Sequence, residues 1–94
     1  MLTTDKLDAA AEMLKAIAHP TRIAIINLLE NSNRLTVTEI FESLSIEQAV
    51  ASHHLRILRD RGVLNSEKDG KNRFYYLKHD RLSQIIECID KCTT

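Results

Sequence analysis

Ninety-four residues, with 13 Lys and Arg balanced by 13 Asp and Glu, make one small domain near the lower limit for a self-sufficient hydrophobic core. An apolar fraction of 44%, with only two glycines and one proline, excludes low-complexity and collagen-like chains and favours helices. No run approaches about 18 apolar residues, the N-terminus lacks the regions of a secretory signal, and two cysteines are too few for a disulfide framework; a cytoplasmic, single-domain protein is expected.

The first helix is predicted over residues 4–18, where Thr3 or Thr4 can cap it. Leu7, Ala10, Ala11, Leu14, Ile17 and Ala18 recur there at helical spacing on one face. In "HPTR", residues 19–22, Pro20 suits the first turn of a second helix, where its missing N–H costs nothing. Ile23, Ile26, Leu29 and their neighbours make that helix apolar enough to be central, and "ENSNR", residues 30–34, ends it. Thr36 and Glu39 form an S/T-x-x-E capping box opening a short third helix, with Ile40, Phe41 and Leu44 turned inward. "SIE", residues 45–47, reads as a tight turn. A fourth helix follows from Gln48 to Arg61, with Gly62 supplying the left-handed residue beyond its end.

Beyond Gly62, "VLNSEK" and "KNRFYYL" read as two strands joined at Asp69-Gly70. That dipeptide suits a type I′ turn, in which both central residues need positive φ. A last helix within residues 81–92 places Leu82, Ile85, Ile86 and Ile89 on one face, with Asp80 and Glu87 capping or solvating it. A short helix, a tight turn and a basic helix make a helix-turn-helix, and the two-stranded hairpin behind it makes a wing. The expected fold class is mainly α with a small β-hairpin, a winged helix of about five helices.

Net neutrality conceals a gradient. Arg56, Arg59, Arg61, Lys68, Lys71 and Arg73 outnumber Asp60, Glu67 and Asp69 between Gln48 and Arg73, whereas Glu39, Glu42 and Glu47 outnumber Arg34 just before. A basic fourth helix followed by a basic hairpin is the distribution expected of a nucleic-acid-binding surface. The adjacent histidines of the fourth helix diverge by about 100°. His54 shares the inward face with Ala51, Leu55 and Leu58 and reads as a packed, hydrogen-bonded histidine, while His53 faces outward. No nearby ligand at i+4 completes a metal site around either.

The outward set Gln48, Ala49, Ser52, His53 and Arg56 has base-reading chemistry. Gln pairs bidentately with adenine and Arg with guanine, Ser serves either, and Ala allows close approach to a thymine methyl. Arg59 and Arg61 lie further along, where phosphate contacts and intramolecular salt bridges are equally open to them. Lys68, Lys71 and Arg73 flank the hairpin tip, placed to follow the phosphate backbone into a minor groove. His19 reads as a neighbour of the second helix's cap and His79 as a loop residue.

"LKAIAHPTRIAIINLL", "LTVTEIFESL", "QAVASHHLRILRDRGVL" and "DGKNRFYYL", in that order and over about three quarters of the chain, resemble the ArsR/SmtB family of bacterial winged-helix repressors. "HPTR" and "SHHLRILRDRG" are the more specific parts of the match. The resemblance implies a homodimer joined by its first and last helices, an imperfect palindromic operator in double-stranded DNA, and repression by blocking promoter access. The apolar stripes on both terminal helices, more than a domain of this size buries alone, point to a dimer independently.

Family members that sense arsenite or cadmium carry Cys-x-Cys at the start of the third helix, where this chain has Thr36 and Thr38. A hydroxyl does not replace a thiolate for a soft metal. Zinc and nickel sensors use Asp and His with further His or Glu on the last helix; Asp80 matches, but Leu82 and Thr93 stand at ligand positions. Glu47 occupies the place of the family's Ser or Thr cap before the reading helix. A regulator without the family's metal sites, and without a cofactor, is expected.

Cys88 and Cys92, at i and i+4, share a helix side but stand too far apart for an intrahelical disulfide. Near a dimer axis they can meet their symmetry mates or hold a soft ion with them; otherwise they are small apolar fillers at a helix end. No nucleophile–base pair, paired carboxylates or phosphate-binding glycine loop indicates catalysis. The function expected is that of a dimeric, sequence-specific DNA-binding repressor. One alternative is a thiol- or metal-responsive sensor acting through Cys88 and Cys92. The other is a winged helix used as a protein-interaction module, for which Arg56, Lys71 and Arg73 are dispensable.

Overall fold

The computed structural model describes residues 2–93 of the chain. Helix α1 (Thr4–Ile17) is capped by Thr3, whose hydroxyl accepts a hydrogen bond from the Lys6 N–H at 3.3 Å. Helix α2 (Pro20–Ser32) begins with Pro20 in its first turn. His19 is itself the cap of α2, because its Nδ1 accepts from the Thr21 N–H at 3.1 Å. Strand β1 (Arg34–Thr36), helix α3 (Val37–Leu44), helix α4 (Gln48–Asp60), strands β2 (Leu64–Asp69) and β3 (Asn72–Leu77), and helix α5 (Leu82–Cys92) follow. No helix among the described residues is long and apolar enough to cross a membrane.

Helix α2 is central. Its Ile25, Ile26 and Leu29 are buried in one cluster with Ile40 of α3, Leu55 and Leu58 of α4, and Val63 and Leu64 at the start of the hairpin. Ile17 and Leu82 extend that cluster to the ends of the chain. Thr36 closes the expected capping box: its hydroxyl accepts from the Glu39 N–H, and the Glu39 carboxylate accepts from the Thr36 N–H at 3.0 Å.

Helices α3 and α4 stop by the same device. After α4, the Val63 N–H donates to the Leu58 carbonyl at 2.9 Å and the Gly62 N–H to the Arg59 carbonyl at 3.1 Å, with Gly62 at φ 77°. This pair of bonds is the Schellman arrangement, and Leu58 and Val63, its apolar partners, are both buried. After α3, Ile46 donates to Phe41 and Ser45 to Glu42, with Ser45 itself left-handed at φ 54° and ψ 43°. The second device makes the tight turn between α3 and α4.

Two expectations for the wing are corrected. The sheet has three strands in the order β1-β3-β2, not the two of a hairpin. Arg34–Thr36, read as the end of α2 and a cap, pairs antiparallel with β3, setting Arg34 against Tyr76 and Thr36 against Phe74. Three residues are too few to display a strand's alternation, so only this long-range pairing reveals β1. The hairpin also turns one residue later than Asp69-Gly70. Asp69 pairs with Asn72, so Gly70 and Lys71 are the central residues, and only Gly70 has positive φ, 64°. Positive φ at the first central position alone is the pattern of a type II′ turn.

The terminal helices bury only part of their apolar faces. Ala16 and Ile17 are buried at the end of α1, but Leu7 and Leu14 are 53% and 57% exposed. On α5, Leu82 is buried and Ile86 half-buried, while Ile85 and Ile89 are 39% and 45% exposed.

Ser45 carries a Cβ in a left-handed conformation that costs an L-residue roughly 1–2 kcal/mol. After the entropic cost of a more flexible unfolded chain, Ser45→Gly is expected to stabilise the fold by about 0.5–1 kcal/mol. Thermal unfolding should show the midpoint rising by a few degrees.

Candidate nucleic-acid interface

The two faces of α4 are sharply different. Ala51, His54, Leu55 and Leu58 are buried against the core, while Gln48, Ala49, Ser52, His53 and Arg56 are exposed. Ala49, Ser52, His53 and Arg56 line one shallow surface concavity, and Gln48 stands beside it at the head of the helix. Two neutral hydrogen-bonding groups, one imidazole, one guanidinium and one small methyl are thereby presented together, each able to address a base edge. Glu47 is the N-cap of α4, and its side chain makes no cap bond. Arg61 forms a salt bridge with Glu12 of α1 at 3.6 Å, so of its two expected roles the intramolecular one is seen.

His54 fixes how α4 sits. Only 7% exposed, it accepts at Nδ1 a hydrogen bond from Arg22 Nε at 3.1 Å, and the His19 ring lies 4.5 Å away between centroids. An Arg22 amino group donates in turn to the Ala16 carbonyl at 3.0 Å. His54 is thus the packed, hydrogen-bonded residue that its position on the helix predicts. Burial, then the nearby His19, Arg22 and His53, hold its pKa below the ordinary imidazole value.

The wing carries its charges by face. Successive strand residues point to opposite sides, so Lys68 and Arg73, paired directly across the hairpin, share the side of buried Leu64 and half-buried Tyr75 and Leu77. Like charges directly opposite each other oppose the pairing. Arg73 turns one amino group onto the Ser66 hydroxyl at 3.0 Å. Lys71 occupies the turn and is exposed.

By sequence alone Arg34 is only the one cation of an acidic segment. In the structure its guanidinium lies 4.2 Å from the Phe74 ring centroid and pairs with Glu67 and, at 3.4 Å, with Asp69. No local signal links residues 33 and 35 positions apart.

Three of the positions that the resemblance sets against metal ligands have other contacts. The Thr36 hydroxyl is held in the α3 capping box, Leu82 is buried in the core, and the Thr93 hydroxyl donates to the Ile89 carbonyl at 3.0 Å. Among the described residues no group of three or more His, Cys, Asp or Glu is placed to hold a metal ion. Cys88 and Cys92 are free and exposed, and with Ile85 and Ile89 they form an i, i+3, i+4, i+7 stripe on α5. The Ser83 hydroxyl donates to the Asp80 main-chain carbonyl at 2.9 Å, the N-cap of α5 is Arg81, and Glu87 pairs with Lys91 at 3.3 Å.

Residues 19–66 match the family described as bacterial regulatory protein, arsR family. An uncharacterized HTH-type transcriptional regulator of Methanocaldococcus jannaschii is 38% identical over 87 residues, which are 93% of this chain and 98% of that protein. The HTH-type transcriptional repressor SmtB of Mycobacterium tuberculosis is 41% identical over 85% of this chain, which spans 58% of SmtB. Among solved structures, the transcriptional repressor PagR of Bacillus anthracis superposes with a TM-score of 0.84 at 32% identity, covering 93% of this chain and 99% of PagR.

The His54 contacts make stability depend on pH. With the folded pKa below about 6.5, the unfolded chain takes up the proton first, so stability rises with pH. The contribution is complete above the unfolded value and is lost as pH falls below it, when protonated His54 no longer accepts from Arg22. Thermal midpoints measured from pH 7.5 down to 5 should fall more steeply for the wild type than for His54→Gln. Parallel curves would reject this assignment.

Proposed function

The chain belongs to the arsR family of bacterial regulatory proteins, and on that premise we propose a homodimeric, sequence-specific DNA-binding repressor without catalytic activity. The reading is carried by one observation: the exposed face of α4 and the cations of the wing occur together on one small fold. Gln48, Ala49, Ser52, His53 and Arg56 read base edges in the major groove. Lys68, Lys71 and Arg73 hold the flanking phosphates. Relatives named as transcriptional repressors support the repressor role.

The uncovered apolar residues of α1 and α5 support the dimer. Leu7, Leu14, Ile85 and Ile89 are each more than a third exposed in a single chain, which suits burial between two copies. Two-fold symmetry then sets two α4 helices about one DNA turn apart and favours a palindromic operator. Thr36, Leu82 and Thr93, all occupied in holding the fold, support a repressor without the family's metal sites; their donor chemistry does not fit a thiophilic or imidazole-bound ion.

A second reading concerns Cys88 and Cys92. Both lie in the exposed stripe of α5 that the dimer would bury, so oxidation or a soft ion there would bear on the dimer and through it on DNA.

Binding is tested by titrating the chain against a duplex it selects from a random pool and against a scrambled control, over a series of salt concentrations, with and without reductant. Tight, salt-sensitive binding that prefers the selected duplex is expected. Arg56→Ala should cost about 1–3 kcal/mol and relax the preference at one base position, whereas Lys71→Ala should weaken all duplexes alike and lower the salt slope by about one per protomer. Equal, weak binding to both duplexes would redirect attention to a protein partner. Sedimentation should show a dimer that Leu14→Glu dissociates.

A further inference from the structure

Resting on the DNA-binding reading above, we infer that Arg34 is the positioning residue of the wing: it spans all three strands and offsets half of the charge of Glu67 and Asp69, so that the hairpin tip meets phosphates as a stronger net cation. In the pleat, Arg34 and Thr36 of β1, Phe74 of β3, and Glu67 and Asp69 of β2 share the outer face. From β1, the Arg34 side chain crosses β3 over the Phe74 ring and places one amino group on each carboxylate of β2. Both carboxylates of the hairpin are therefore answered by one residue from outside it.

Stability does not account for this arrangement. The Arg34 side chain is 42% exposed, its carboxylate partners more so, and pairs of that kind contribute little to folding. Their electrostatic consequence is larger. Glu67 and Asp69 flank Lys68 along β2 at about 3.4 Å per residue, well inside a Debye length of about 8 Å. Unpaired, the two carboxylates would oppose Lys68, Lys71 and Arg73 at the same stretch of phosphate backbone. Paired with Arg34, one of their two charges is offset and they cancel less of the field of the cations, and the ring beneath the guanidinium holds it in place.

The test uses the full chain and a duplex that the wild-type protein selects from a random-sequence pool, with dissociation constants measured across a series of KCl concentrations. Arg34→Ala is expected to weaken binding about tenfold at low salt, with the difference shrinking as salt rises. Adding Glu67→Gln and Asp69→Asn to Arg34→Ala should restore affinity to within about threefold of wild type, a recovery that a purely structural role would not produce. Glu67→Gln with Asp69→Asn, Arg34 retained, should bind at least as tightly as wild type, and this pair decides the matter should Arg34→Ala fail to fold. Wild-type affinity in Arg34→Ala, no recovery in the triple variant, or weakening by the carboxylate substitutions alone overturns the inference. A wild-type chain that selects no duplex overturns the DNA-binding reading itself, which separates the two failures.

Discussion

The Arg22 guanidinium reaches from α2 to both neighbouring helices, donating to the Ala16 carbonyl at the end of α1 and to His54 Nδ1 on the buried side of α4. A half-buried cation and a buried imidazole are costly to desolvate, and each offsets the other's cost only in one geometry. Around them, the apolar side chains of α2 fill the centre of a small domain and leave little choice of packing. The rotation of α4 follows: with Ala51, His54, Leu55 and Leu58 turned in, Ala49, Ser52, His53 and Arg56 are turned out. The outward face is thus set by what the inward face requires.

The same economy shapes the wing. A chain of zero net charge has no general attraction for a polyanion, so its cations must be gathered and its carboxylates dealt with locally. The pleat provides the sorting, because alternate residues of β2 point to opposite faces. Lys68 goes to one side with Arg73, and Glu67 and Asp69 go to the other, where β1 brings Arg34 to them. The short third strand therefore has an electrostatic consequence beyond its three residues of pairing.

Outside this centre the fold is open. Helices α1 and α5 place Ile17 and Leu82 in the core but leave Leu7, Leu14, Ile85 and Ile89 partly exposed. A chain of this length buries a smaller fraction of its apolar surface than a larger domain does, and self-association is the usual remedy.

Much of this was legible in the residues. Thr36 and Glu39, Pro20, Gly62 and the helical spacing of apolar positions act within one or two turns, so they located the helices and the inward and outward sides of α4 without any knowledge of the fold. His54 could be assigned to the core from its spacing to Ala51, Leu55 and Leu58, although its partner could not. Whatever depended on distant residues was hidden: Arg22 meets His54 across 32 positions and Arg34 meets Glu67 across 33, and β1 is defined only by its pairing with β3. Even the turn at Gly70 shifted by one residue, because strand register, and not the Asp-Gly pair, decided which residues lie at its centre. Local hydrogen bonding and periodicity are written in neighbouring residues, and the sequence by itself therefore determined the winged-helix class and which side of α4 is exposed. The charge partners and the third strand are contacts across the chain, and only tertiary packing brings them together.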